Sequence, residues 1–240
     1  MATKRSKTAV ITGASQGIGR AIALRLADRG VETILAGRDS RRLAELVQQI
    51  VSAGGRARHS ELDLADEASI RQFTDDLTAA RSELGILVNC AGRYLRGRWE
   101  DSSASDLAEL LGTNVSGVFS LTRGVLPLLV RARGDIVFVN SSIVLGDGRG
   151  AGLYAATKHA LKGLADSLRA EVNERGVRVL SVYPGRTATP MQERAHGAEN
   201  RAYEPDRLLQ PGDVAEAVVA CLELGETAEV TDLMIRPRYK

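Results

Sequence analysis

The chain has 240 residues, 44% hydrophobic and 26% charged, with a formal net charge of +2 at pH 7. That length suits one large α/β core, and the near-balanced charge argues against a polyanion-binding surface, so nucleic acid is not an expected partner. Cys90 and Cys221, with the scattered His59, His159 and His196, have neither disulfide-framework nor metal-ligand spacing, so no metal is expected.

The basic start "MATKRSK" runs straight into a strand with no apolar leader, and no uninterrupted apolar run approaches the ~20 residues that span a bilayer. A cytoplasmic protein off the membrane is the expectation. "TAVIT" (8–12) reads as the first strand, followed by a helical stripe through Ile18, Ile22, Leu26 and Ala27. "ETILAG" (32–37) is a second strand, and Asp39 or Ser40 caps a helix carrying Leu43, Leu46, Val47 and Ile50. "RARHSEL" (56–62) is a polar strand suited to a sheet edge. "GILVN" (85–89), "DIVFVN" (135–140) and "VRVLSV" (177–182) are apolar enough to be covered on both faces. "PGDVAEAV" (211–218) opens a helix before a last strand near "VTDLMI" (230–235). Residues from about 184 to 212, with four prolines, read as one long irregular segment of the kind that forms a lid. Alternating strands and helices with short connections predict a single domain over 1–240 built on a doubly wound parallel sheet of about seven strands in three αβα layers.

Two local patterns carry chemistry. Directly after the first strand, "TGASQGIG" places Gly13, Gly17 and Gly19 in a strand-to-helix turn, where glycines admit a close phosphate at the positive end of the helix. In "GLYAATKHALKGL" (152–164), Tyr154 and Lys158 stand four residues apart, on one face of a helix.

"TGASQGIG", "NCAG" (89–92), "YAATK" (154–158) and "YPGRTATPM" (183–191), in this order, resemble the short-chain dehydrogenase/reductase family over essentially the whole chain. The resemblance implies a Rossmann-like fold and an oxidoreductase that interconverts a secondary alcohol and a ketone or aldehyde. It further implies that Tyr154 is the general acid/base and Lys158 works beside it, lowering the phenol and holding ribose hydroxyls. The reactive serine of the family lies seven residues after the glycine before the strand and thirteen before the tyrosine. From Gly134 and from Tyr154 alike, that position is Ser141. Its neighbour Ser142 is the better candidate for satisfying backbone groups at the strand end. Asn114 in "LGTNVSGVF" matches the asparagine that holds a water in the relay to the lysine.

For the cofactor, the resemblance implies contacts from Gly13, Ser15, Gln16, Gly17, Ile18 and Gly19, from Asp63 and Leu64 after the third strand, and from Ala91 and Gly92. Asn89 braces the central strands beside them, and Cys90 is a packing thiol. Pro184, Gly185, Thr187 and Thr189 match the segment that touches the nicotinamide and phosphates. The second strand ends "ILAGRD", with Gly37 where NAD-preferring members carry an acid and Arg38 next. A guanidinium there suits a 2′-phosphate, so NADP(H) is expected over NAD(H).

Substrate walls are expected from 93–100, 143–153 and a lid over 186–212, with Arg93, Arg96, Arg98, Arg149, Arg186 and Arg194 in or near them. These arginines leave room for an acidic substrate, although solvated arginines are the plainer reading of so Arg-rich a chain. The closing "EVTDLMIRPRYK" is similar to members acting on serine and 3-hydroxy acids, which is the narrower alternative. A dinucleotide-sensing regulator on the same fold is the rival from another class. A homodimer or homotetramer, paired through the helices starting near Asp106 and Tyr154, is the implied assembly.

Overall fold

A computed structural model of the protein describes residues 8–146, 148 and 150–238. Seven strands, β1 (Thr8–Thr12), β2 (Glu32–Gly37), β3 (Ala57–Glu61), β4 (Ile86–Asn89), β5 (Asp135–Val139), β6 (Arg178–Pro184) and β7 (Asp232–Ile235), form one sheet in the order β3-β2-β1-β4-β5-β6-β7. Every neighbouring pair is parallel, with Val10 opposite Ile34 on one side and Leu87 on the other. The polar β3 takes an edge, as its composition requires.

Successive strand residues point to opposite faces, so each strand feeds two cores. Val10, Ile34, Leu87, Ile136 and Val179 face one layer, packing with α3 (Glu67–Ala80), α5 (Gly117–Ala132) and α6 (Gly152–Val172). Ile11, Leu35, Val88, Val137 and Leu180 face the other, packing with α1 (Gly17–Asp28), α2 (Ser40–Ser52) and α8 (Pro211–Leu222). This is the expected three-layer, Rossmann-like αβα architecture. Asp39 is the cap of α2, accepting from the Arg42 amide at 3.0 Å.

Helix α4 (Ala104–Leu111) runs through a π-helical turn (Gly112–Ser116) into α5, a continuous 29-residue stretch that by length and composition alone could cross a membrane. Its apolar side, with Leu110, Val118, Leu121, Val125 and Leu128, is buried in the protein instead.

The segment read as irregular is so only in part. Within it stands α7 (Pro190–Ala198), started by Thr189, whose hydroxyl accepts from the Gln192 amide at 3.2 Å, and by Pro190 at the first helical position. Proline there loses no helical hydrogen bond, so these prolines punctuate helices and do not merely interrupt them. The same device opens α8 at Pro211.

The chain leaves β1 toward β2 on one side of the sheet and returns through α3 to β4 on the other. The strand order therefore reverses between β1 and β4, where open α/β sheets form a crevice at the carboxyl ends of their strands.

Candidate active site

A cavity of about 700 Å³ lies in that crevice. Its floor begins at the β1–α1 turn. Gly13 has φ +65°, and a Cβ there would stand 2.9 Å from the backbone of Ala91. A Cβ at Gly19 would stand 2.5 Å from the Gly13 carbonyl oxygen, so only glycine lets helix and turn meet. Gln16 precedes α1 without a side-chain cap, so its own side chain does not occupy the first amides of the helix. Thr12 fixes the opposite lip: its hydroxyl accepts from the amides of Cys90 and Ala91 at 3.0 and 3.1 Å. Uncapped amides and glycines that keep the turn open fit the pyrophosphate of a dinucleotide.

Of the residues singled out from sequence, Gly13, Ser15, Gln16, Gly17, Ile18, Gly19, Arg38, Asp63, Leu64, Ala91, Gly92, Ser141, Tyr154, Lys158, Pro184, Gly185, Thr187 and Thr189 all line this cavity. Asn89 and Asn114 do not. Asn89 is buried, and its Nδ2 donates to Thr122 Oγ1 at 3.1 Å, tying β4 to α5 and not to a neighbouring strand. Asn114 sits in the π-helical turn. Its Oδ1 accepts from the Arg93 amide at 2.8 Å, while Nδ2 donates to the Arg93 carbonyl and to Thr157 Oγ1 at 2.9 and 3.1 Å. It thus braces the 93–98 loop against α6.

Tyr154 and Lys158 are both buried on α6, with Lys158 Nζ 5.7 Å from the phenol ring centroid. Burial pushes the phenol up to about 12, a hydrogen bond with Ser141 pulls the other way, and Tyr94 and Cys90 add to the rise. Burial also brings Lys158 down to about 8. The expected lowering of the phenol by the ammonium is therefore overturned. Lys158 Nζ donates to the Val139 carbonyl at 3.1 Å, and loss of solvent dominates both groups. The Tyr154 ring also packs edge-on against Tyr94, centroids 5.0 Å apart.

Ser141 follows β5, and its Oγ accepts from the Ile143 amide at 3.2 Å, capping a short 3₁₀ turn over Ser142–Leu145. The capping expected of Ser142 thus falls to Ser141, the serine that also reaches Tyr154. Burial pushes Cys90 up to about 12, so at neutral pH it is no thiolate and packs as a neutral thiol.

Three residues escaped the sequence reading. Asn140, the polar end of an apolar strand run, accepts from the Ser141 amide at 2.9 Å and donates to the Lys158 carbonyl at 3.1 Å, linking serine to lysine. Arg42, in the first turn of α2 and four residues after Arg38, lines the cavity and donates to Gln16 Oε1 at 3.1 Å. Glu199, the third, lines the far side. Arg38 is mostly exposed, its Nη1 3.9 Å from Asp63 Oδ2. The three expected substrate walls all reach the cavity, through Tyr94 and Arg96, through Ile143 and Ala151, and through Arg186 and Met191. Arg98 pairs with Glu100, Arg194 is exposed, and Arg149 lies outside the described residues.

Residues 7–200 match the short chain dehydrogenase family. The chain is 33% identical over 239 residues to sulfoacetaldehyde reductase 2 of Chromohalobacter salexigens, covering 97% of this chain and 94% of that protein. It is 31% identical over 242 residues to an NADP-dependent 3-hydroxy acid dehydrogenase of Schizosaccharomyces pombe, covering 98% and 93%. Among solved structures, an alcohol dehydrogenase of Thermococcus sibiricus complexed with 5-hydroxy-NADP superposes with a TM-score of 0.88 at 28% identity, covering 97% of each chain.

Proposed function

The chain belongs to the short-chain dehydrogenase/reductase family and is an oxidoreductase acting on CH–OH groups, and we propose that with NADP(H) it interconverts an alcohol and its carbonyl compound, a secondary alcohol with a ketone or a primary alcohol with an aldehyde. The observation that carries this reading is the convergence of Ser141, Tyr154 and Lys158 on one cavity with the glycine turn of β1–α1.

The β1–α1 turn would hold the pyrophosphate of a nicotinamide dinucleotide, which would supply or accept the hydride. The chain supplies the proton and the polarisation. Ser141 donates to the substrate oxygen, and Tyr154 gives its proton to that oxygen in reduction or takes it back in oxidation. A phenol raised to about 12 is protonated at neutral pH, the form that reduction of a carbonyl uses. Lys158 stands about one helical turn further along α6, where its ammonium would hold the ribose hydroxyls of a bound cofactor. Asn114 positions the 93–98 loop, and Asn140 holds Ser141 and Lys158 in register.

Gly37 leaves space beside β2, and Arg38 and Arg42 both line the cavity there. Two guanidiniums at that corner favour a 2′-phosphate and hence NADP(H) over NAD(H). The whole chain is a single dinucleotide-binding domain with α7 and the residues to about 212 as its lid. It works as a cytoplasmic homodimer or homotetramer, paired through the faces around α4 and α6.

A narrower reading, dehydrogenation of 3-hydroxy acids or serine, draws on the relatives named for sulfoacetaldehyde and for 3-hydroxy acids. A dinucleotide-sensing regulator would bind NADPH without turning over any carbonyl, and the presence of Ser141, Tyr154, Lys158 and Asn114 together argues against it. The test is incubation with NADPH or NADH and a panel of aldehydes, ketones and oxo acids, following loss of the reduced-nicotinamide absorbance. Tight cofactor binding with no absorbance loss across the panel would reject the enzyme reading in favour of the sensor.

A further inference from the structure

The lid side of the cavity holds an unequal set of charges. Arg96 comes from the loop after β4, and Arg186 from the segment between β6 and α7, 90 residues further along the chain. Both converge on one carboxylate, Glu199, just past the end of α7. Arg96 Nη1 lies 3.1 Å from its Oε1, and Arg186 Nη2 lies 3.1 and 2.9 Å from its two oxygens. The Glu199 side chain is only 8% exposed, while Arg96 and Arg186 remain 33% and 40% exposed, and all three residues line the cavity. The exposed Arg201 adds a third guanidinium at 3.4 Å from the same carboxylate. Arg93 is spoken for by Glu109 at 2.8 Å.

Glu199 is a fixed anion: burial raises its carboxyl, but Arg186, Arg96 and Arg201 outweigh burial and hold it below the usual carboxylate range. Arg186 is held from a second side by the buried His196. His196 Nε2 lies 3.5 Å from Arg186 Nη1, and its Nδ1 lies 2.9 Å from the Gln192 carbonyl and 3.2 Å from Gln192 Nε2, so the ring is held from within α7. The Arg96 guanidinium meanwhile rests against Gly150, where a Cβ would come within 3.0 Å of Nη2. Two oriented guanidiniums thus share one buried carboxylate. A guanidinium carries five donors, and these two spend few of them on Glu199 and His196. Among the described residues, Arg96 and Arg186 share Glu199 as their paired carboxylate, so this pair of guanidiniums carries a net positive charge on the lid side of the cavity.

We infer that Arg96 and Arg186 receive an oxyanion carried by the substrate, a carboxylate or sulfonate on the same molecule as the reacting carbonyl or alcohol, with Glu199 as the anchor that orients both. The inference rests on the reading of this cavity as the substrate site of an oxidoreductase, and it narrows the substrate class to small anionic compounds.

The test is calorimetric titration of the NADP⁺-loaded protein with 3-hydroxypropanoate and with its neutral isostere 3-hydroxypropanamide. The acid should bind about tenfold or more tightly than the amide, the scale of one charge-assisted hydrogen bond. In Arg96→Gln and in Arg186→Gln that advantage should shrink to about threefold or less. Equal binding of acid and amide by the unmodified protein overturns the inference and needs no variant. An acid preference that survives both substitutions overturns the assignment to these arginines. Turnover of neutral carbonyl compounds with no gain from an added carboxylate would reject the anionic class and leave the oxidoreductase reading standing. An acid preference on a protein that reduces no carbonyl would keep this site and reject that reading.

Discussion

The floor and the lid side of one cavity are built on different physics. On the floor, backbone meets backbone: the β1–α1 turn closes on Ala91 and on itself with no room for a Cβ at Gly13 or Gly19. On the lid side, side chains meet across long stretches of sequence, and charge fixes their positions, as when Arg96 and Glu199 pair over 103 residues. The floor is therefore intolerant of volume, whereas the lid side is held by charge and, at Gly197 of α7, has room for a side chain. A shape common to all dinucleotides can be bound by the first, and a particular substrate chosen by the second.

The largest effect should come from the one floor residue that does proton chemistry. Tyr154→Phe keeps the packing on Tyr94 but removes the hydroxyl, so kcat should fall ~10²-fold or more while the NADPH dissociation constant moves only a few-fold. Near-wild-type turnover by this variant, measured by NADPH consumption, would end the proposed mechanism. Next is the volume test. Gly19→Ala drives a methyl against the Gly13 carbonyl, and its cost should be about 1–3 kcal/mol, read as a lower denaturant midpoint together with weaker NADPH binding. An unchanged midpoint would mean that the turn yields, and the contrast between floor and lid would lose its basis.

At the adenosine corner the floor itself becomes electrostatic. NADPH should bind more tightly than NADH by about 1–3 kcal/mol, and Gly37→Asp with Arg38→Leu should invert the order. Dissociation constants favouring NADH in the unmodified protein would show that Arg38 and Arg42 serve only Asp63, Asp39 and Gln16.

Burial of the floor also predicts a pH dependence. Lys158 titrates near 8 in the folded protein against an ordinary 10.5, so between those values the unfolded chain binds the extra proton. Stability from this residue therefore rises with pH across that window, and below about 8 the folded state carries a costly buried charge. Tyr154, raised from 10 to about 12, has the opposite sign but acts only above pH 10. The melting-temperature gap of wild type over Lys158→Met should thus change in favour of wild type from about pH 7.5 to about pH 9.5. A change in favour of Lys158→Met as the pH rises would reverse the assigned shift. The smallest effect, of opposite sign to Gly19→Ala, belongs to the lid: nothing lies within 4 Å of a Cβ at Gly197 in α7. Gly197→Ala should stabilise by up to about 1 kcal/mol, and a loss comparable to that of Gly19→Ala would show the lid to be as tightly packed as the floor.

What the amino-acid sequence determined by itself is what short-range rules govern. Alternating apolar strands and helical stripes specified the doubly wound sheet, the polarity of 57–61 sent β3 to an edge, and Asp39 capped its helix as a short polar residue does. The resemblance to a known family, carried by short motifs in a fixed order, brought Gly13, Ser141, Tyr154 and Lys158 into one reading, and all four line one cavity. Even α7 had its start written in Thr189 and Pro190, although the weak apolar stripe behind them hid it. The tertiary structure alone decided matters that depend on distant neighbours. It turned Asn89 toward α5 and Asn114 toward the 93–98 loop, brought Arg42 beside Arg38, and gathered Arg96 and Arg186 onto Glu199. It also set the direction of the Tyr154 phenol, because desolvation is a property of everything packed around a group, whereas helical periodicity and capping depend only on the few residues next to it in the chain.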